Sequence, residues 1–261
     1  MPYDLADRGG WSIVPSGSDR AISLAELAAA VAVRAARRPD PGLRYVLGIA
    51  GPPAAGKTTL SIALRDELNR RSGRRLAEIA PMDGFHLSNA RLQADDALDR
   101  KGEPDTFDAA GYARRLTSVR HDGDADVAWP TFDRSIEATV PGGVVFTPDV
   151  QIAITEGNYV LLDTGDWASV RTALDEAWFV DADLDLLESR LIVRHRQGGK
   201  SAAAARAKTT RSDLPNARLV GPTRQRARLV LHVGDGPIDQ AIRLVTTAAD
   251  PVSDDTTGAI S

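Results

Sequence analysis

Apolar residues recur along this chain at two periods, and their alternation predicts a layered α/β fold. Tyr45 to Ala50 is a continuous apolar run of strand length, and Leu60, Leu64 and Leu68 follow it at helical spacing. Further short apolar runs predict strands at Arg75 to Ala80, Val150 to Thr155, Ala177 to Val180 and Leu229 to Val233. Between them, Ser23 to Arg38 predicts a helix. Ser23 and Glu26 form a capping box at its start, Pro39-Asp40-Pro41-Gly42 ends it, and its expected place is the sheet edge. Asn69 to Arg74 reads as a polar turn and Gln93 to Gly102 as an acidic helical stretch. Leu184 opens a helix capped by Asp183, and Ile238 to Ala248 reads as the closing helix. Val127 to Pro130 begins a strand-like piece and Thr139 to Pro148 reads as a hairpin. Their prolines and aromatics suit neither a long helix nor a buried parallel strand, so they are expected in a small lobe beside the sheet.

Composition narrows this picture. A chain of 261 residues, 43% hydrophobic and 26% charged, can bury a full core as one α/β domain with extensions. It has no cysteine, so thiolate metal sites and disulfides are excluded. The start MPYDLADRGG lacks the regions of a signal peptide, and Leu24 to Val33, broken by Glu26, is too short to span a bilayer. A soluble, cytoplasmic protein is expected, with no membrane partner. A net charge of -4 and a pI near 5.6 argue against general nucleic-acid binding. The one basic stretch, Arg190 to Arg228, reads equally as a solvated face.

The chemistry concentrates where the first strand ends. From Gly51 the residues Gly51, Pro52, Pro53, Ala54, Ala55, Gly56, Lys57 and Thr58 fit G-x-x-x-x-G-K-[ST], with Thr59 next. Gly51 allows a sharp turn, and Gly56 lets backbone approach a phosphate where a β-carbon would collide. Loop N–H groups and the positive end of the following helix converge on an anion. Lys57 can reach the β- and γ-phosphates, and the Thr58 hydroxyl can ligate Mg²⁺. The chain has only four lysines, Lys57, Lys101, Lys200 and Lys208, so the one inside this loop is no accident of composition. The expected ligand is a nucleoside triphosphate.

Other candidates fall at strand ends, where ligands bind in open parallel sheets. Asp83 follows the second strand as a base or hydroxyl-orienting carboxylate, although an idle Asp-Gly turn fits the same spacing equally. Glu156 ends the apolar run from Val150, where a P-loop enzyme needs a second carboxylate near its metal. Arg190 and Arg194, spaced i, i+4, share a helix face.

Taken in order, the phosphate loop, PMDGFH, KGEPDTFD, PTFDR, ITEGNY and RLIVRHRQGG resemble the phosphoribulokinase/uridine kinase family of P-loop kinases. The resemblance is nearest the branch of pantothenate kinases and fructose-transport kinases and covers roughly Tyr45 to Val233. It implies a P-loop NTPase fold, a three-layer αβα architecture with a mostly parallel central sheet, a helical lid and a small acceptor-binding lobe. It divides the chain into an N-terminal extension (1–42), a kinase domain (43–250, lid about 186–215) and a flexible tail (251–261). By the same resemblance Asp83 holds the acceptor hydroxyl, Lys57 and Thr58 bind phosphate and magnesium, and Glu156 serves the metal and the acceptor side. Arg194, with Arg190 a turn before it, belongs to the lid that closes over the transferred group. His86, Lys101, Phe132, Arg134 and Tyr159 match regions forming the acceptor pocket.

The chain departs from typical pantothenate kinases, since Pro130 is followed by Thr131-Phe132 and not by a Ser-His pair. It also lacks the acceptor pattern of a uridine kinase and the cysteines of the phosphoribulokinase redox switch. The expected activity is ATP- and Mg²⁺-dependent transfer to a hydroxyl of a sugar or sugar-like, fructose-like metabolite, because Asp83, His86 and Arg134 supply both donors and acceptors. Pantothenate or a nucleoside is the alternative acceptor. The alternative of another class is a regulatory P-loop ATPase, against which stands the lack of an N-K-x-D or L-S-G-G-Q stretch. A small-molecule partner is expected, and a homodimer is allowed.

Overall fold

The computed structural model describes residues 20–247, so the tail expected beyond residue 250 lies outside the described residues. In chain order the elements are β1 (Arg20–Ala21), α1 (Leu24–Ala36), β2 (Tyr45–Ala50), α2 (Lys57–Ser72), β3 (Ala77–Pro81), α3 (Asn89–Ala94) and α4 (Ala109–His121). There follow β4 (Val127–Asp133), β5 (Ala138–Phe146), β6 (Ile152–Gly157), β7 (Glu176–Asp181), α5 (Leu184–Gln197) and α6 (Ala202–Lys208). The described chain closes with α7 (Leu214–Val220), β8 (Leu229–Val233), α8 (Ile238–Ala241) and β9 (Ile242–Thr247).

One seven-stranded sheet runs β1-β9-β8-β7-β2-β6-β3. Its five strands from β8 to β3 are parallel, and β9 and β1 add antiparallel at one edge. Successive side chains of a strand point to opposite faces, and the core divides accordingly. Leu47 and Ile49, with Trp178 and Val180, pack toward α1, α2 and α5. Val46 and Ala50, with Ala177 and Phe179, pack toward α4, the turn 165–173 and the β4–β5 hairpin. The result is the three-layer, mostly parallel architecture expected from the sequence.

Several local expectations need correction. Helix α1 has its capping box, with Ser23 and Glu26 bonded reciprocally, but it lies beside α2 on a sheet face and not at the edge. The described part of the stretch before residue 43 is therefore built into the main core. Helix α2 continues through the expected polar turn to Ser72 and stops at Gly73, whose φ of 66° is left-handed. Gln93 to Gly102 is not one helix: α3 starts from a Ser88 cap and ends before Asp96, whose φ of 51° breaks the repeat. Helix α4 had no counterpart in the sequence reading. Asp183 precedes α5 without a side-chain capping bond.

Thr139 to Pro148 is not a hairpin either, because its residues supply a single strand, β5, which pairs back on β4 across the turn 134–137. The closing helix shrinks to α8, and Ile242 onward forms β9. Ile238, Ala241, Ile242 and Val245 carry a helical period, but β8 would otherwise leave an open edge, and pairing with it outweighs the local preference.

The start of β2 is anchored by a buried arginine. The Arg44 guanidinium donates to carbonyls of Val119, Asp122, Gly123, Ala125, Phe146, Thr147 and Val150 at 2.7–3.4 Å. It joins the end of α4, the loop after it and the passage from β5 to β6.

Candidate active site

Because the five central strands are parallel, their carboxyl ends lie on one side, and the loops leaving them meet there. The loop after β2 carries Gly51 to Gly56. A β-carbon on Gly51 would lie 2.2 Å from the Val180 carbonyl oxygen, and one on Gly56, with φ 104°, would press on Val233. The loop can therefore nest against β7 and β8 only with these glycines, which leaves its backbone free to curl around an anion. Ala54 adds a left-handed turn at φ 65°. Pro52, Pro53 and Ala55 are buried, and Thr58 and Thr59 are exposed on the first turn of α2.

Lys57 is 7% exposed. Its ammonium donates to the Pro52 carbonyl at 2.9 Å and to Asn158 Oδ1 at 2.8 Å. Burial lowers its pKa to about 8, although Glu156 and Asp83 act to raise it. Such a cation, taken out of water and incompletely neutralised, is suited to an incoming phosphate. Thr58 Oγ1 donates to Glu156 Oε1 at 3.1 Å. Glu156 ends β6, is 9% exposed, and has its pKa raised by burial while Lys57 lowers it.

Asp83 stands in the turn Met82–Phe85 directly after β3. Arg134, from the turn of the β4–β5 hairpin, donates to Asp83 Oδ2 at 2.8 Å. The hairpin is fixed there by Trp129, whose Nε1 donates to the Pro81 carbonyl, and by Gly84, whose missing side chain admits the Pro130 carbonyl. His86 stacks on Phe107 at 4.0 Å between ring centroids and leans on Phe132 at 5.0 Å. Burial lowers its pKa to about 4, so the ring is neutral near pH 7, and its Nδ1 is buried without a protein partner. Lys101 lies 4.8 Å from the Phe132 ring centre and donates to Asn89 and Glu137. His86, Phe132, Lys101, Arg134 and Asp83 thus gather at one place.

Two expected residues, Tyr159 and Arg190, stand behind or apart from this cluster. Tyr159 is fully buried, with its hydroxyl donating to the Gly102 carbonyl at 2.6 Å, so it supports the pocket from beneath. Arg194 and Arg190 are separated by their positions along α5. Burial lowers the pKa of Arg194 and Arg134 lowers it further, while Asp83, Asp213 and Glu156 act to raise it. Arg190 turns to the Ala54 and Val233 carbonyls and pairs with Asp235 at 2.6 Å. The expected outcome is that Arg190→Met alters turnover by no more than about fivefold, the scale of a partly exposed pair, whereas Arg194→Met lowers it much further. Parallel steady-state kinetics of the two variants check this.

Asn158 escaped the sequence reading, although it directly follows Glu156-Gly157 at a strand end. So did Lys208 and Asn216, which donate to the backbone of Lys101 and Gly102. Among the described residues no group of three or more His, Asp or Glu could hold a metal alone. One hydroxyl and one carboxylate fit Mg²⁺ nonetheless, because that ion completes its shell with phosphate oxygens and water. No described helix is long and apolar enough to cross a membrane.

Among solved structures, the chain is similar to a "putative fructose transport system kinase" of Silicibacter sp. TM1040, at 34% identity and a TM-score of 0.69. The match covers 77% of this chain and 95% of that one. A pantothenate kinase of Pasteurella multocida is 33% identical over 227 residues, 77% of this chain and 70% of the relative. A protein of Schizosaccharomyces pombe named as a "putative uridine kinase" is 31% identical over 179 residues, 66% of this chain and 76% of the relative. No protein-family model matches.

Proposed function

As the chain belongs to the phosphoribulokinase/uridine kinase family of P-loop kinases, which use ATP and Mg²⁺, we propose that it transfers the γ-phosphoryl group to a hydroxyl of a small sugar-like metabolite. The observation that carries this reading is the phosphate loop with Lys57 buried against it and Thr58 bonded to Glu156, beside the cluster of Asp83, Arg134, His86, Phe132 and Lys101 at the strand ends.

Phosphoryl transfer needs positioning and charge neutralisation more than covalent work by the protein. Lys57 meets the β- and γ-phosphates, and Asp83 accepts a hydrogen bond from the acceptor hydroxyl and holds it in line. Arg194 balances charge spread over the moving group. Thr58 and Glu156 would hold Mg²⁺, which would supply charge neutralisation at the phosphates. Residues 186–215 serve as a lid that excludes water from the closed site, since an open one would hydrolyse ATP. Within it His195 Nε2 and Asp213 Oδ2 lie 2.7 Å apart and join α5 to the segment before α7.

A second reading of the acceptor is favoured by one feature. Lys101 and Arg134 put two cations beside the aromatic floor, which suits a hydroxyl compound that also carries a carboxylate or phosphate. A panel of neutral sugars and polyols, hydroxy acids, sugar phosphates, pantothenate and uridine, assayed by ADP release, separates the two. Strong release with neutral polyols supports the sugar-like reading, and release confined to anionic members replaces it. ADP release indifferent to every acceptor and altered only by a protein partner would instead make the chain a regulatory ATPase.

A further inference from the structure

Asn158 directly follows β6 and stands beside the lysine of the phosphate loop. Its Oδ1 accepts from the Lys57 ammonium at 2.8 Å, so its amide nitrogen is the only side-chain donor left. Tyr159, the next residue, turns its hydroxyl away from Lys57 to the acceptor segment. The same hydroxyl donates to the Gly102 carbonyl, which also accepts from Asn216 Nδ2 of α7 at 3.4 Å. Lys101, next to Gly102, presents its side chain to the acceptor pocket, and its carbonyl accepts from Lys208 at the end of α6.

We propose that Asn158 is a positioning residue for the phosphate-binding lysine. An ammonium has three donors on a flexible stem and no preferred direction of its own. Pro52 and Asn158 occupy two of the three and fix the direction of the last. A leucine of similar size at 158 would keep the packing while removing both the acceptor and the donor. This rests on the reading of Lys57 as a phosphate ligand.

A double-mutant cycle on the full chain tests the proposal, with affinity for a fluorescent ATP analogue and Mg²⁺ as readout. Asn158→Leu is expected to weaken binding about tenfold when Lys57 is present, the scale of one hydrogen bond to a charged group, and to have no further effect on top of Lys57→Met. An equal loss in both backgrounds means that Asn158 acts only through local structure, and overturns the proposal. Should Lys57→Met bind too weakly to titrate, the acylation rate of Lys57 in the nucleotide-free protein, followed by mass spectrometry, replaces the cycle. Faster labelling of Lys57 in Asn158→Leu supports the contact, and an unchanged rate overturns it. Failure of the wild-type chain to bind the analogue would remove the nucleotide reading itself, a result distinct from additivity.

Discussion

Asp83→Asn is expected to lower phosphoryl-transfer turnover by about a hundredfold or more while leaving affinity for an ATP analogue within about threefold of wild type. The carboxylate sits on the turn after β3, one strand beyond β6 and its Glu156, and takes no part in the phosphate loop itself. An amide of the same shape keeps the fold but loses the full charge that orients a hydroxyl proton. The pair with Arg134 is exposed at 61% and 38% of the two side chains, so losing it costs little stability. Steady-state kinetics with an acceptor found in the panel, beside an analogue titration, gives both numbers. Turnover near wild type would remove Asp83 from the mechanism.

Arg44→Met is the substitution expected to unfold the protein most readily, by about 3–5 kcal/mol. Seven backbone carbonyls converge on this guanidinium, which is 1% exposed, and a thioether can satisfy none of them. Burial lowers the arginine's pKa while Asp122, Asp124 and Asp126 act to raise it, so the charge is retained by its neighbours and carbonyl ligands. Arg44→Lys should recover only part of the loss, because an ammonium cannot reproduce the planar fork. Urea unfolding of the three proteins, compared at constant slope, measures the effect. A loss below about 1 kcal/mol for Arg44→Met would mean that water replaces the guanidinium at these carbonyls.

How far the site could be read in advance depended on whether its signal was local. The phosphate loop was legible residue by residue, because its glycines, lysine and threonine act within one turn of one another. Asp83 and Glu156 were legible as positions, since each follows an apolar run whose end in a parallel sheet faces the ligand side. The individual contacts that cross the chain were not. Arg134 reaches Asp83 from 51 residues away and Asn158 reaches Lys57 from 101, and no periodicity encodes such a meeting. Tyr159 was legible as belonging to the pocket region, but only packing revealed that it lies beneath the pocket, with its hydroxyl committed to Gly102.

By itself, then, the sequence determined the alternation of strands and helices, the capping of α1, the phosphate loop and the strand ends that carry acids. These follow from side-chain period and backbone preference within a few residues. The tertiary structure alone decided that β9 covers β8 in place of a closing helix, and that Arg44 gathers the carbonyls of three segments. It also decided that Arg190 turns to the Ala54 and Val233 carbonyls and pairs with Asp235. The i, i+4 spacing puts both arginines on one face of α5. Which loops they face is set by the sheet order, which long-range pairing fixes and no helical period encodes.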